Sequence, residues 1–283
     1  MTDTQHKLYV VATPIGHRDD FSLRAIDVLQ RCCCIYAEDT RHSRPLLLHH
    51  GIATHVVSLH EHNEAAKIDA VLSQLRNNGS VALISDAGTP LISDPGYRLV
   101  RACQEAGFDV SPIPGPSALT AALSVAGQAT DRFVFAGFPP SKSQARLTWF
   151  RELAELHSTL IVYESPHRIT ATLADIVSVF GSQRDMTLAR ELTKRYETVK
   201  RGSAAEIQAF VLNDAQQQRG EFVLIMAGVD KQEKGTHTDQ NLKAMMITLL
   251  KHMPVKTAAK VAAELTGVPR KQAYELGVQV TGE

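Results

Sequence analysis

The chain has 283 residues, 44% of them apolar and 21% charged, with no net formal charge. This is the make-up of a soluble globular protein, long enough for two ordinary domains and an appendage. No apolar run reaches the roughly 18–20 residues of a membrane span, and the opening MTDTQHK lacks the basic-then-apolar layout of a secretory leader. The cysteines, Cys32, Cys33, Cys34 and Cys103, have neither disulfide spacing nor a C-x-x-C metal clip. Buried reduced thiols in a cytoplasmic protein are therefore expected. Charge is unevenly spread, with a balance of −4 over residues 1–131 and +4 over residues 132–283. The second part can face a polyanion, although a difference of this size is also ordinary scatter.

A first apolar strand, residues 8–12, ends in Thr13-Pro14-Ile15-Gly16. Ser22 can cap a helix that runs to Arg31 with Leu23, Ile26, Val28 and Leu29 on its apolar face. A second strand, Cys33–Ala37, leads into Glu38-Asp39-Thr40-Arg41 and a short Leu-rich helix that stops at Gly51. A third strand, Val56–Leu59, is followed by His60-Glu61-His62-Asn63-Glu64 and a long amphipathic helix to Gly79. The fourth strand opens the stretch around which the chain is organised, Val81–Gly96, VALISDAGTPLISDPG. Gly, Pro, Ser and Asp end its ladder after Ile84, and Asp94-Pro95 reads as an N-cap before a Pro at the first helical position. A fifth strand, Asp109–Ile113, meets Pro114-Gly115-Pro116-Ser117, and Ser117 caps an Ala/Leu-rich helix. Short strands alternating with helices describe parallel βαβ units, so these turns should share one sheet edge, where open α/β sheets bind ligands.

From Phe133 the texture changes. Strands at Phe133–Phe138, Thr159–Tyr163, Met186–Arg190, Tyr196–Lys200 and Phe222–Met226 are interleaved with helices, one opened by the capping box Ser203-Ala204-Ala205-Glu206. The third and fourth of these strands are joined by a short polar loop and should be antiparallel. The expected organisation is an N-terminal α/β domain over 1–117, a mixed-sheet α/β domain over 118–229, a linker over 230–240 and a helical tail over 241–283. In the tail, one Ala-rich helix ends at Gly267 and Val268-Pro269-Arg270 opens a second, with the rhythm of a helix-turn-helix. Such a tail either contacts nucleic acid or packs on the body or a partner.

Several chemistries are excluded. The first strand turn lacks G-x-G-x-x-G, and no Walker lysine loop or G-x-S-x-G elbow is present. His60, His62 and Glu64 alternate on an extended segment, as metal ligands can. No Cys or Asp completes a set, so polar loop contacts, and no metal, are expected there. The turns Thr13–Gly16, Ser85–Pro90 and Gly115–Ala118 remain. They offer main-chain groups, small side chains and the carboxylate of Asp86, suited to an adenosyl group held without a phosphate cradle.

TPIG, AEDTR, LHEHNE, SDAGTPLISDPG, IPGPSA, GFPP-x-K and YESPHR together resemble the ribosomal RNA small subunit methyltransferase I family, within the tetrapyrrole-methylase-like (class III) methyltransferases. The resemblance covers about residues 7–229, and the tail resembles the helix-turn-helix segment that some members append. It implies a two-domain α/β enzyme, usually a homodimer, with S-adenosyl-L-methionine in the cleft between domains. The implied reaction is 2′-O-methylation of a decoding-centre cytidine of 16S ribosomal RNA in the small subunit. Carried onto this sequence, the cofactor contacts implied are Pro14 and Ile15, Asp86, Gly88 and Thr89, Ser117 and Ala118, with Tyr163, Ala189 and Phe222 from the second domain. The tetrapyrrole enzymes have Gly-Asp-Pro where this chain has Ser85-Asp86-Ala87, which argues against a tetrapyrrole substrate.

Methyl transfer to a ribose hydroxyl needs in-line alignment and a path for the proton. Asp39, placed where tetrapyrrole relatives have an acid facing substrate, is the candidate base or orienter. Arg41, Lys142, Arg146, Arg168, Arg190 and Lys194 are candidates for phosphate contact. Asp39 and Arg41 also suit a structural pair that fixes their loop. The rival readings are a class III methyltransferase acting on a tetrapyrrole or a protein, and a non-catalytic RNA-binding module.

Overall fold

The computed structural model describes residues 6–229 and 234–281. The chain divides into two compact units, Met1–Ala227 and Gly228–Glu283.

The first unit begins with five parallel strands in the order β3-β2-β4-β1-β5. They are β1 (Lys7–Val11), β2 (Cys34–Ala37), β3 (Val56–Ser58), β4 (Val81–Ile84) and β5 (Asp109–Ile113). The period-two alternation of side chains divides the strand residues between two helical layers. Val11, Ile35, Ala37, Ala82 and Ile84 pack under α1 (Leu23–Arg31) and α2 (Thr40–His49). Leu8, Cys34, Tyr36, Val81 and Leu83 pack under α3 (Glu64–Asn77) and α4 (Tyr97–Glu105). Strands buried on both faces explain why the sequence shows apolar runs here rather than alternation. Ser22 caps α1 as the sequence predicts, accepting from Ala25 N at 3.1 Å. All four cysteines are free thiols. Burial pushes the Cys32 thiol up to about 12 and those of Cys34 and Cys103 up to about 11.

α5 (Ala118–Val125) packs Ala122 and Leu123 against Ile161, Ala189, Val223 and Ile225 of a second sheet. That sheet runs β6-β7-β10-β8-β9. Its strands are β6 (Phe133–Phe135), β7 (Thr159–Glu164), β8 (Asp185–Arg190), β9 (Thr198–Ser203) and β10 (Phe222–Met226). β6 and β7 are parallel, and the other pairings are antiparallel, including β8 with β9. Its other face carries α6 (Ser143–Leu153), α7 (Ile169–Phe180) and α8 (Ala204–Asn213), over a core that includes Phe150, Leu173, Ile207 and Leu224. The capping box at Ser203 and Glu206 is formed.

The second unit is helical: α9 (Lys234–Leu250), α10 (Val255–Thr266) and α11 (Arg270–Thr281). Small residues let the helices approach, with Ala258, Ala259, Ala262 and Ala273 buried against Leu242 and Met246. α10 ends on Gly267, whose left-handed φ of 72° makes it the C-cap. Of the stretch expected as a linker, 230–240, residues 230–233 lie outside the described residues and Lys234 onward is helix.

One boundary differs from the sequence expectation in a way that matters for the site. α4 starts at Tyr97, and its N-cap is Gly96, not Asp94. A β-carbon on Gly96 would lie 2.7 Å from Leu83 Cδ2, and its φ of 128° disfavours any other residue. The cap is completed from another helix: buried Glu64, at the start of α3, accepts from Leu99 N at 2.9 Å. Glu64 is thus a helix anchor rather than a member of a metal set, and the described residues contain no metal-holding cluster of three or more His, Cys, Asp or Glu. Glu64→Ala should lower unfolding free energy by about 1–3 kcal/mol, because a buried N–H loses a charged acceptor. A urea midpoint shift with unchanged slope would measure it, and Glu64→Gln should recover part of the loss.

Candidate active site

The loops that follow β1, β2, β4 and β5 are joined laterally through the β4 loop. Thr13 and Gly88 exchange two backbone bonds, Thr13 N to Gly88 O at 2.9 Å and Gly88 N to Thr13 O at 3.0 Å. Asp39 N donates to Asp86 Oδ1 at 3.0 Å, and Thr89 Oγ1 donates to Pro116 O at 3.0 Å. Gly88 has φ +82°, the left-handed region that glycine enters without strain. Leu91 and Ser93 also hold positive φ, 73° and 71°. This crumpled path carries Ile92, Ser93 and Asp94 back over the sheet edge before α4 begins.

The second sheet closes over that edge. The 191–194 turn after β8 lies against the turn after β1: a β-carbon on Gly16 would lie 2.5 Å from Lys194 Cγ and 3.0 Å from Leu192 O. His17 N donates to Thr193 Oγ1 at 3.0 Å. On the far side, Leu119 N donates to Tyr163 Oη at 3.0 Å, tying the start of α5 to β7. Tyr163 is flanked edge-on by Phe135 and Phe138.

A cavity of about 500 Å³ lies between these layers. Of the ten candidate cofactor residues, nine line it: Ile15, Asp86, Gly88, Thr89, Ser117, Ala118, Tyr163, Ala189 and Phe222. The tenth, Pro14, lines an adjoining cavity of about 400 Å³, which shares Ile15, Asp86, Ala87 and Glu221 with the first. Electrostatics separate the two. Among the described residues, the larger cavity is lined by Glu38, Asp86, Asp94, Glu164 and Glu221 and by no Lys, Arg or His. The smaller one shares Asp86 and Glu221 but adds Arg18, Arg41, His42 and Lys194. The first suits a cationic organic group with an apolar plane, set against Ile15, Ala118 and Phe222. It repels phosphate. The second suits an anion.

Asp39 lines neither cavity. Its carboxylate caps α2, accepting from Arg41 N at 2.8 Å and from the Arg41 guanidinium at 2.8 Å and 3.1 Å. The hydrogen-bonded guanidinium holds it well below the usual carboxylate range, unsuited to taking a proton. Among the acids that do line the larger cavity are its neighbour Glu38 and Asp94. Burial, then the charge of Asp86, raises Glu38. Burial, then Glu38 and Asp86, pushes Asp94 up to about 7. Sequence reasoning assigned Asp94 to a cap and passed over Glu38. The run of acids on two adjacent strand ends, Glu38-Asp39 and Asp86, was the signal available.

The phosphate candidates divide in the same way. Buried Arg146 pairs with Asp175 at 2.7 Å and donates to Pro140 O and Ser141 O. Buried Arg190 donates to Arg219 O, Gln216 O and Tyr196 O, bracing the turns beside β10. Both are structural cations turned away from solvent, because a buried guanidinium must have its donors filled. Arg168 pairs with buried Glu164 at 2.8 Å and donates to Pro139 O. Exposed Lys142 lies in a shallow hollow with Pro140 and Trp149, apart from both cavities. Lys194 lines the smaller cavity but is held at 2.9 Å by both Glu191 and Glu221. Arg41 lines the same cavity with its side chain 89% exposed, and Arg18, absent from the candidates, lines it too.

The comparisons with known proteins agree with this geometry. Residues 7–208 match the family described as Tetrapyrrole (Corrin/Porphyrin) Methylases, and residues 236–279 match the RsmI C-terminal HTH domain. Proteins named ribosomal RNA small subunit methyltransferase I are similar along nearly the whole chain. The one from Xylella fastidiosa strain Temecula1 is 48% identical over 271 residues, covering 96% of this chain and 98% of its own. The one from Escherichia coli O157:H7 is 45% identical over 280 residues, covering 99% and 97%. Among solved structures, the cobalamin biosynthetic enzyme cobalt precorrin-4 methyltransferase superposes with a TM-score of 0.58 at 14% identity, over 78% of this chain and 94% of its own. Uroporphyrin-III C-methyltransferase from Thermus thermophilus, complexed with S-adenyl homocysteine, gives 0.53 at 17% identity over 78% and 97%. At that identity these two show the shared fold.

Two outcomes test the site's construction. Asp94 binds its proton more tightly in the folded chain, about 7 against the ordinary 3.8. Between those values the folded state holds more protons, so this group makes stability fall as pH rises. Asp94→Asn should flatten that part of the profile of melting temperature against pH. Gly16→Ala should cost about 1–3 kcal/mol by overpacking the 192–194 turn, read as a lower melting temperature.

Proposed function

The chain belongs to the ribosomal RNA small subunit methyltransferase I family of the tetrapyrrole methylases, and from that membership we propose that it methylates small-subunit ribosomal RNA, using S-adenosyl-L-methionine, at the ribose 2′-oxygen of a decoding-centre cytidine in 16S RNA. The observation that carries this reading is the pairing of an acidic cavity with a basic one across a shared wall at Ile15, Asp86, Ala87 and Glu221. A neutral protein side chain gives no reason for that pairing. A cationic cofactor beside a polyanion does. A tetrapyrrole bearing carboxylates is also an anion, and the family membership, not the charge, is what favours RNA over it.

The residues present fit the cofactor. Its sulfonium and ammonium charges match a lining in which Glu164 and Glu221 are paired with Arg168 and Lys194, while Glu38, Asp86 and Asp94 form no ion pair among the described residues. Ser117, Thr89 and the backbone at 86–89 offer hydrogen-bond groups, while Ile15, Ala118, Ala189 and Phe222 offer an apolar surface for adenine. When bound, the sulfonium supplies an electrophilic methyl group. This chain's task is to hold an RNA hydroxyl in line with it, at about 3–3.5 Å. Asp86 stands on the wall common to both cavities, so its carboxylate is positioned to orient that hydroxyl. Glu38 and Asp94, which burial keeps less acidic than ordinary carboxylates, are better suited than Asp39 to take its proton.

The helical unit supports an RNA substrate as well. Lys251, Lys256, Lys260, Arg270 and Lys271 are exposed on it, against the exposed acids Glu264 and Glu275. Action in the cytoplasm and assembly as a homodimer belong to the same proposal, and sedimentation of the purified chain would check the latter.

Ribose-methylation mapping of 16S RNA by mass spectrometry, from cells lacking this protein, should show loss of one 2′-O-methyl cytidine. The purified chain should restore it on small subunits from those cells. Survival of every ribose methylation would defeat the proposal.

A further inference from the structure

We propose that the smaller cavity is the acceptor-nucleotide subsite, taking one unpaired nucleotide of RNA with its flanking phosphate on Arg18 and Arg41. This rests on the RNA-methylating reading above and goes beyond it by naming where the substrate sits and which residue, unflagged by the sequence, holds it.

Adjacency comes first. Methyl transfer requires the acceptor oxygen within bonding reach of the cofactor, so the acceptor must enter a space continuous with the cofactor cavity. The smaller cavity shares the Ile15, Asp86 and Ala87 wall with it. Its volume of about 400 Å³ lies in the range of small-molecule sites, enough for a single base and its sugar. A base inside such a cavity cannot remain paired in a helix, so the substrate nucleotide must be single-stranded or turned out of its stack.

Charge comes second. Three full cations line the cavity, and they are not equivalent. Lys194 is neutralised by Glu191 and Glu221. Arg41, which lines the cavity, pairs with Asp39 through Nε and Nη2, which fixes its guanidinium plane. Arg18 lies in the short 3-10 turn Arg18–Asp20, is exposed, and among the described residues forms no ion pair. The backbone oxygen of Arg18 accepts from His50, which anchors the turn while leaving the side chain free to engage a ligand. Arg18 and Arg41 line only this cavity, whereas Asp86 lines both, so a nucleotide would set its phosphate on the guanidinium groups and its sugar hydroxyl toward Asp86 and the cofactor.

Arg18→Glu tests this, because the side chain is exposed and, among the described residues, forms no ion pair or side-chain hydrogen bond. With the full-length protein and small subunits as substrate, KM for RNA should rise at least tenfold. Affinity for S-adenosyl-L-methionine, by calorimetry, should change less than twofold. The slope of log affinity against log salt should fall by about 0.7, one single-strand phosphate. Arg18→Lys should recover most of the KM. If the wild type methylates RNA and Arg18→Glu leaves KM and the salt slope unchanged, the subsite assignment is overturned while the functional reading stands. If the wild type neither methylates nor binds the RNA, both fall.

Discussion

The two backbone bonds between Thr13 and Gly88 hold the site together. Strands β1 and β4 are neighbours in the sheet, but their ladder ends at Val10 and Leu83. Beyond it the chain would splay. The Thr13–Gly88 bridge renews the pairing in the turns, in the antiparallel sense. It also requires Gly88 at φ +82°, which only glycine adopts at no cost. Once that pair is set, Asp86 reaches the loop of β2 and Thr89 reaches the loop of β5. Four strand ends then become one surface, and its residues line both cavities.

Sidedness follows from what each element can bury. The floor of the larger cavity is built from strand-end turns whose charged side chains are acids. Its roof is the inner face of a mixed sheet, represented by Ala189, Phe222 and Val223. Basic residues of the roof are used elsewhere: Arg190 braces the turns around 196 and 216–219, and Arg168 satisfies Glu164. The larger cavity is therefore left without a cation. The basic groups line the adjoining cavity instead, from the turn after β1, the start of α2 and the turn after β8. One wall thus separates a place for a positive ligand from a place for a negative one.

Carboxylates show how neighbours decide chemistry. Asp39 and Glu38 are adjacent in sequence and opposite in character. Asp39 is saturated by Arg41 and its own helix, and its proton affinity falls. Glu38 faces the cavity among like charges under partial burial, and its proton affinity rises. No local pattern separates two such residues. Their difference lies in the direction of alternate side chains at the end of β2, and in what α2 and the β4 loop bring to each.

The alternation of short apolar strands with helices was enough to specify parallel βαβ units, and the break in texture near Phe133 was enough to specify a mixed second sheet. Turn chemistry at Thr13–Gly16, Ser85–Pro90 and Gly115–Ala118 marked the sheet edge, because Gly, Pro and Ser are readable without tertiary context. The candidate cofactor residues that the family motifs implied line the larger cavity, apart from Pro14, because most of them belong to those same turns. The start of α4 was not legible locally. Asp94-Pro95 is a good cap, and it lost to Gly96 and to Glu64 from 30 residues upstream because close packing on Leu83 admits only glycine. Nor could sequence sort the arginines. Arg146 and Arg190 look like Arg18 and Arg41 on paper, and only the three-dimensional arrangement buries the first two against Asp175 and backbone carbonyls. Local residue chemistry determined the elements and their turns. Burial and charge neighbours, which are properties of packing, decided which side chains remained available to a ligand.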